Sequence, residues 1–467
     1  MHFEQLKELL FKRSNFGMKL GLERMRAALA LLGNPHRAFP VLHVAGSNGK
    51  GSTCAFAEAA LRAARLRTGL YTSPHLFHFC ERIRVAGEPV SEERAAALLE
   101  EIAGRVPWAL RDDGLTFFEL ATLMGFLAFA QERVQVAVVE VGLGGRLDAT
   151  NVVEPLACAV APIALEHTRW LGSTLAEVAM EKAGILKDGA PAVSAGQPLA
   201  AAAVLQARAD ELRIPLWRPG RDYVYESSDV RPFCYSGPDG FRVAMGAGEG
   251  GVEGGRDDRS IPSGLALLGH HQRANAALAC ALLQVAARRG VPVRPEHVRH
   301  GLHTARWPGR LEVVAREPLV VLDGAHNPHA ARALARTLPT VAGGRPVQLV
   351  FAAMGDKDHA GMLRELLPVA AGVHLCAVES PRAARPEDLA AVAQRLAGGT
   401  GAGAGEADAD RALAGRAYPT VREAVLAARA AAGQDGCVLC CGSLYLAAEV
   451  RAAVGGRPAD RMPSERL

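Results

Sequence analysis

At 467 residues the chain exceeds one ordinary domain, and its 49% hydrophobic and 22% charged residues describe a folded protein with ample core. A net charge of +4, from 53 basic and 49 acidic residues, is too balanced to point to nucleic acid or a charged membrane surface. No apolar run approaches the ~20 residues of a spanning helix and the N-terminal stretch lacks a secretory pattern, so a cytoplasmic protein without a membrane partner is expected.

Residues 1–40 carry amphipathic helical patterning, with Leu22, Met25, Leu29 and Leu32 at helical spacing. The apolar run 41–45 reads as a buried strand. It feeds the turn Gly46-Ser47-Asn48-Gly49-Lys50-Gly51-Ser52 and a helix from about Cys54 to Leu66. Strand, glycine turn and helix N-terminus make a phosphate cradle, with backbone N–H groups and the helix dipole facing the anion and Lys50 reaching the outer phosphates. Ser52 or Thr53 is placed to hold Mg²⁺ through its hydroxyl. A βα turn without a ligand would share much of this pattern, and the loop has two residues between Gly46 and Gly49 where the general phosphate loop has four.

Further strands are predicted at 67–72, 134–141, 156–163 and 190–195, alternating with helices, which indicates a parallel sheet covered on both faces. Ligands of such sheets gather at the carboxyl ends of the strands, and the chemistry-bearing residues concentrate there. Ser73, in a Ser-Pro turn, follows the second strand. Thr116-Phe117-Phe118-Glu119 opens a helix to Ala130 as a capping box. Glu140 ends an otherwise apolar strand, where a carboxylate is costly unless paired or bound to a cation. The stretch 142–148 is a weak dinucleotide fingerprint, since no helix follows on schedule. Glu166-His167 follows the next strand, and Lys182 lies in an apolar helix ending at Gly184.

Glycine- and charge-rich loops are expected at 246–259 and 398–410. Gln272 and Asn275 share a helix face where amides could read a base edge. Trp307-Pro308-Gly309-Arg310 reads as a hinge carrying a phosphate-seeking fork. Strands then restart at 319–323, 347–352, 372–378 and 436–441, a second and smaller α/β unit. Asn327 and Pro328 suit the N-cap and first turn of its first helix. The nine cysteines read as buried thiols, including those of the apolar run 437–441, where no second pair has zinc-like spacing.

These segments together resemble the folylpolyglutamate synthase/dihydrofolate synthase family of Mur-type ATP-dependent amide ligases. The resemblance covers nearly the whole chain. It rests on HVAGSNGKGS (43–52), LYTSPH (70–75), EVGLGGRLDATN (140–151), EKAGI (181–185), QRAN (272–275), WPGR (307–310), DGAHNP (323–328), DKD (356–358) and GSLY (442–445). It implies a P-loop-type parallel-sheet ATPase domain (1–306) followed by a smaller Rossmann-like α/β ligase domain (307–467). The implied chemistry passes the γ-phosphate of ATP to a carboxylate, giving an acyl phosphate that the amine of L-glutamate attacks.

By the same resemblance, Ser47, Asn48, Gly49, Lys50, Gly51 and Ser52 hold ATP with Asn275, Arg310 and Asp323, Asn275 at adenine. Ser52, Ser73, Glu140 and His167 ligate Mg²⁺. Thr116, Phe117, Phe118, Glu119, Leu147, Asp148 and Ala149 form the pocket for dihydropteroate or a reduced folate, favouring both activities over polyglutamylation alone. His326 and Ser443 serve glutamate; Lys50, Lys182 and His326 are the catalytic set, with Lys182 carbamylated. The expected partners are these small molecules, acting on a monomer. Glu166 stands where the family usually has Asp, and Ser47 where it has Thr. A cell-wall Mur ligase, an inactive nucleotide-binding scaffold and a nicotinamide dehydrogenase are the competing readings.

Overall fold

The computed structural model describes residues 3–14, 21–228, 231–246, 263–398 and 415–454. The loops expected at 246–259 and 398–410 fall outside these, apart from their first residues.

The first sheet has eight strands: β1 Val41–Ala45, β2 Thr68–Tyr71, β3 Ile83–Val85, β4 Glu88–Pro89, β5 Val136–Glu140, β6 Ala157–Val160, β7 Ala192–Ser194 and β8 Leu216–Trp217. Their order is β4-β3-β2-β5-β1-β6-β7-β8, parallel except for β3 and β4. β1 lies between β5 and β6, and all five of its residues are buried. Alternation along it serves two cores. Leu42 and Val44 pack with helices Lys50–Ala63 and His270–Arg288, whereas Val41 faces helix Phe117–Gln131 and Ala45 faces helix Leu175–Ala183. His43 shares the parity of Val41 and Ala45, an imidazole among apolar neighbours.

A small antiparallel sheet, β9 Val224–Tyr225, β10 Cys234–Ser236 and β11 Arg242–Ala244, adds Phe233 and Tyr235 to the first core. Its strands are too short to show a period, and the sequence gives no sign of them.

The second sheet contains β12 Glu312–Arg316, β13 Leu319–Leu322, β14 Val347–Phe351, β15 Gly372–Cys376, β16 Arg416–Tyr418 and β17 Cys437–Cys441. The order is β12-β13-β17-β14-β15-β16, with only β12 antiparallel. Helix Pro328–Ala342 covers one face and helices Val421–Ala432 and Leu444–Ala453 the other. β17 is central and fully buried, so its three cysteines are core thiols as expected. All nine cysteines are free.

The elements the sequence places most firmly are present: β1, β2, β5, β6, β7, β13, β14, β15 and β17, and helix Phe117–Gln131 with its Thr116–Glu119 capping box. One boundary moves. The helix expected from Cys54 begins at Lys50, because Gly49 turns the chain at φ 86° and the next residue is already helical. Among the described residues no helix is long and apolar enough to cross a membrane.

Candidate active site

The carboxyl ends of β1, β2, β5 and β6 face the second unit across a cleft of about 630 Å³. Every site residue predicted from sequence lines it except Lys182 and Thr53, the alternative to Ser52. The lysine is buried behind the cleft and meets it only through its neighbours.

At the end of β1, the Ser47 and Asn48 amides donate to the Pro162 carbonyl, and the Ser47 hydroxyl bonds Ala164. The hydroxyl therefore fixes the loop to its neighbour. Gly46, at φ 147°, lies so close to Ala161 that a β-carbon would come within 2.7 Å of it. Gly49 has no capping side chain, so the first-turn amides of helix Lys50–Ala63 stay open to an anion. Lys50 folds back, donating to the carbonyls of Gly46 (2.8 Å) and Ser47 (3.3 Å).

Gly49 requires its lack of a side chain twice over. Its φ is left-handed, and a β-carbon would meet Asn275 Oδ1 at 2.2 Å. Gly49→Ala is expected to weaken ATP binding about tenfold or more, since left-handed backbone alone costs roughly 1–2 kcal/mol. Titration calorimetry with ATP checks it; unchanged affinity would remove the loop from the nucleotide site. Asn275 donates to Gln272 Oε1 (2.9 Å) beside the phosphate turn, and Gln272 Nε2 lies 3.3 Å from His271 Nε2.

Glu140 ends β5, buried, taking the Ser73 amide at 3.2 Å. Burial pushes its carboxyl up to about 7, against the opposing pull of Lys50, the Ser73 amide, Arg310 and Arg82. His167 is driven down to about 4, by burial first and Lys357 second, and is neutral at physiological pH. An under-compensated carboxylate, a neutral imidazole and the Ser52 and Ser73 hydroxyls on one cleft suit a hard divalent cation. Among the described residues no three His, Cys, Asp or Glu side chains gather as a metal cluster, and the predicted ligand set contains just two.

Behind this face Lys182 Nζ donates to the Gly46 carbonyl (2.9 Å) and to Glu166 Oε1 (2.8 Å). The extra methylene of Glu166, relative to the Asp usual in the resembled family, goes into reaching this lysine. Burial resists ionisation of Glu166, but Lys182, Lys50 and His167 together hold its carboxyl well below the usual range. Burial likewise lowers the Lys182 pKa, opposed by Glu166.

The residues of the predicted substrate wall line the cleft and are held in place by hydrogen bonds of their own. Glu119 accepts the Thr116 amide (2.8 Å) and pairs with Arg24 (3.0 Å). Asp148 spends Oδ2 on the Leu143 amide (2.8 Å) and Oδ1 on the Thr150 amide (2.9 Å). Sequence reasoning missed Arg82, which is buried, donates Nε to His75 Nδ1 (2.8 Å), and lies 4.8 Å from the Phe117 ring centre. Only the fold brings it beside that helix.

On the opposite wall Asp323 accepts the Leu311 and Ala325 amides, fixing the hinge that carries Arg310. His326 Nδ1 lies 2.8 Å from the Gly324 carbonyl, so Nδ1 carries the proton and Nε2 is left as an acceptor. Burial chiefly lowers its pKa, and Lys357 adds to this. The units meet where Asn48 and Asn327 exchange side-chain amides, with Asn327 Nδ2 3.0 Å from Asn48 Oδ1. Asn327 also caps helix Pro328–Ala342 through the Ala330 amide, as predicted. Lys357 lines the cleft, and its charge acts on both histidines. The Asp356-Lys357-Asp358 motif was its only sequence signal.

Residues 309–444 match the Mur ligase, glutamate ligase domain model. The dihydrofolate synthase/folylpolyglutamate synthase of Bacillus subtilis is 36% identical over 83% of this chain and 88% of its own. The chain belongs to the dihydrofolate synthase/folylpolyglutamate synthase family. Escherichia coli FolC, solved in complex with DHPP and ADP, superposes with a TM-score of 0.81 at 33% identity, over 96% of this chain and 97% of its own. A Halobacterium salinarum relative, described as a probable bifunctional folylpolyglutamate synthase/dihydropteroate synthase, is 39% identical over 97% of this chain but 51% of its own. This member of the family thus spans about half the length of that relative.

Proposed function

We propose that this protein is an ATP-dependent ligase that joins L-glutamate to the carboxylate of dihydropteroate or of a reduced folate. The observation that carries the proposal is the convergence, in one cleft between two α/β units, of an uncapped helix N-terminus, Lys50, Arg310, buried Glu140 and neutral His167. A carboxylate oxygen attacks the γ-phosphorus, the bond to ADP breaks, and an acyl phosphate results. The glutamate amine then attacks the acyl carbon, phosphate leaves, and the amine gives up a proton.

The residues do this by holding charge in place. The first-turn amides and Lys50 take the phosphates, and Arg310 neutralises them from the other wall. Glu140, His167, Ser52 and Ser73 would hold Mg²⁺, which supplies charge neutralisation for the transferred phosphoryl group. His326 presents Nε2 as an acceptor to the incoming amine, and Ser443 lies on the same wall.

Thr116 to Glu119 and Leu147 to Ala149 line the cleft opposite, the basis for proposing both activities. We extend the proposal to a monomer, checked by light scattering on the purified protein, in a reducing compartment suited to nine free thiols. Carbamylation of Lys182, bonding its amine to the carbon of CO₂ with loss of two protons from the ammonium, would replace the cation that pairs with Glu166 by an anion, so Glu166 would have to turn away or take up one of those protons. A peptide heavier by one CO₂ at that lysine would establish it.

Mass spectrometry of products made with ATP, Mg²⁺ and L-glutamate tests the function, with dihydropteroate and a reduced folate monoglutamate in parallel. Glutamate addition to both is expected. Addition to the folate alone would remove the dihydrofolate synthase activity, and addition to neither would sink the ligase reading.

A further inference from the structure

His43 sits in the middle of β1, where a valine or leucine would suit the surrounding core. It is fully buried, and its Nδ1 has no hydrogen-bond partner among the described residues. An unsatisfied buried polar atom destabilises a fold, and the opposite edge of the ring shows what offsets it. His43 Nε2 lies 2.9 Å from Thr150 Oγ1. Thr150, itself fully buried, donates the proton of that hydroxyl to Asp148 Oδ1 at 2.5 Å.

The proton count fixes the direction of the chain. The carboxylate accepts only, so the single Thr150 hydroxyl proton is spent on Asp148, and its oxygen must accept from His43. Nε2 therefore carries the imidazole proton, Nδ1 is bare, and donation runs from His43 to Thr150 to Asp148. Burial, with Lys187 adding to it, pushes the imidazole down to about 3, so the ring is neutral and makes this single donation.

The two ends of this chain belong to different parts of the cleft. His43 lies three residues before Gly46, the start of the phosphate loop. Asp148 gathers the Leu143 and Thr150 amides and so shapes the 142–150 loop, the wall proposed for the aryl carboxylate substrate. We propose that His43 is a positioning residue, which through Thr150 locks Asp148 and this loop to the central strand and sets the substrate carboxylate in register with the phosphate loop. The proposal rests on the ligase reading above for the identity of that substrate. The hydrogen-bond chain itself does not.

Two variants and one spectrum test it. In His43→Leu an apolar side chain of similar bulk fills the core and donates nothing, while in His43→Gln the amide can restore a donor near Nε2. The KM for dihydropteroate should rise about fivefold in the leucine variant, as expected for one lost hydrogen bond between uncharged groups, with the KM for ATP changed less than about twofold. The glutamine variant should recover most of the loss. ¹⁵N-histidine spectra of the wild-type protein should show the resonance missing from His43→Leu as a neutral Nε2–H tautomer.

An Nδ1–H tautomer, an equal rise in both KM values, or no recovery in the glutamine variant would overturn the proposal. Absence of glutamate addition by the wild-type protein would instead sink the ligase reading, and the tautomer would still decide the donor chain.

Discussion

Lys182→Ala is expected to lower glutamate addition by about a hundredfold or more, although the lysine does not line the cleft. Its Nζ is the donor that joins the Gly46 carbonyl to Glu166, so it ties the phosphate loop to the segment carrying His167. Removing it strands a carboxylate whose side chain is only 8% exposed, and breaking such a pair destabilises by about 3–5 kcal/mol. Lost turnover alone could therefore reflect a lost fold. Lys182→Met combined with Glu166→Gln removes the stranded charge and should restore the melting temperature but not the activity. Wild-type turnover in the double variant would show that the lysine charge has no part in the reaction.

Glu140→Gln should move stability and activity in opposite directions. Burial lifts this carboxyl from its ordinary 4.5 to about 7, so between those values the folded chain keeps a proton that the unfolded chain has released. Stability associated with that proton is present below 4.5 and lost as the pH rises through 7. At pH 8 the ligand-free protein thus bears a penalty of about 3 kcal/mol, which the neutral amide removes. Thermal unfolding at pH 8 without Mg²⁺ should show the glutamine variant more stable than wild type, and at pH 4.5 the two should be close. With saturating Mg²⁺ and ATP the variant should be inactive by about a thousandfold, having lost the only carboxylate of the proposed cation site. A variant that is both less stable at pH 8 and active would contradict the assignment twice.

The two experiments separate charge held for function from charge held for structure, a distinction the sequence left open at several positions. Thr116 and Glu119 were legible as a capping box, and the structure shows that box, with Arg24 added to it. Asp148 resembled a substrate contact, and besides lining the cleft it accepts the amides of its own loop. Gln272 and Asn275 satisfied the spacing for a base reader, and Asn275 also donates to Gln272. In each case local spacing identified polar residues on one surface without saying which neighbour would use their hydrogen bonds.

By itself the sequence determined the two parallel sheets, the phosphate loop at the end of the first central strand, and the polar residues at neighbouring strand ends. These follow from short-range rules: apolar runs bounded by glycine and proline make buried strands, and strand ends are where loops can carry chemistry. What only the tertiary structure decided were the long-range partners. Glu166 finds Lys182 sixteen residues on, Asn48 finds Asn327 across 279 residues, and His43 finds Thr150 across 107. No period or spacing encodes such pairs. They are set by strand order, because crossovers bring β5 and β6 to either side of β1 and so fix which buried polar groups can meet.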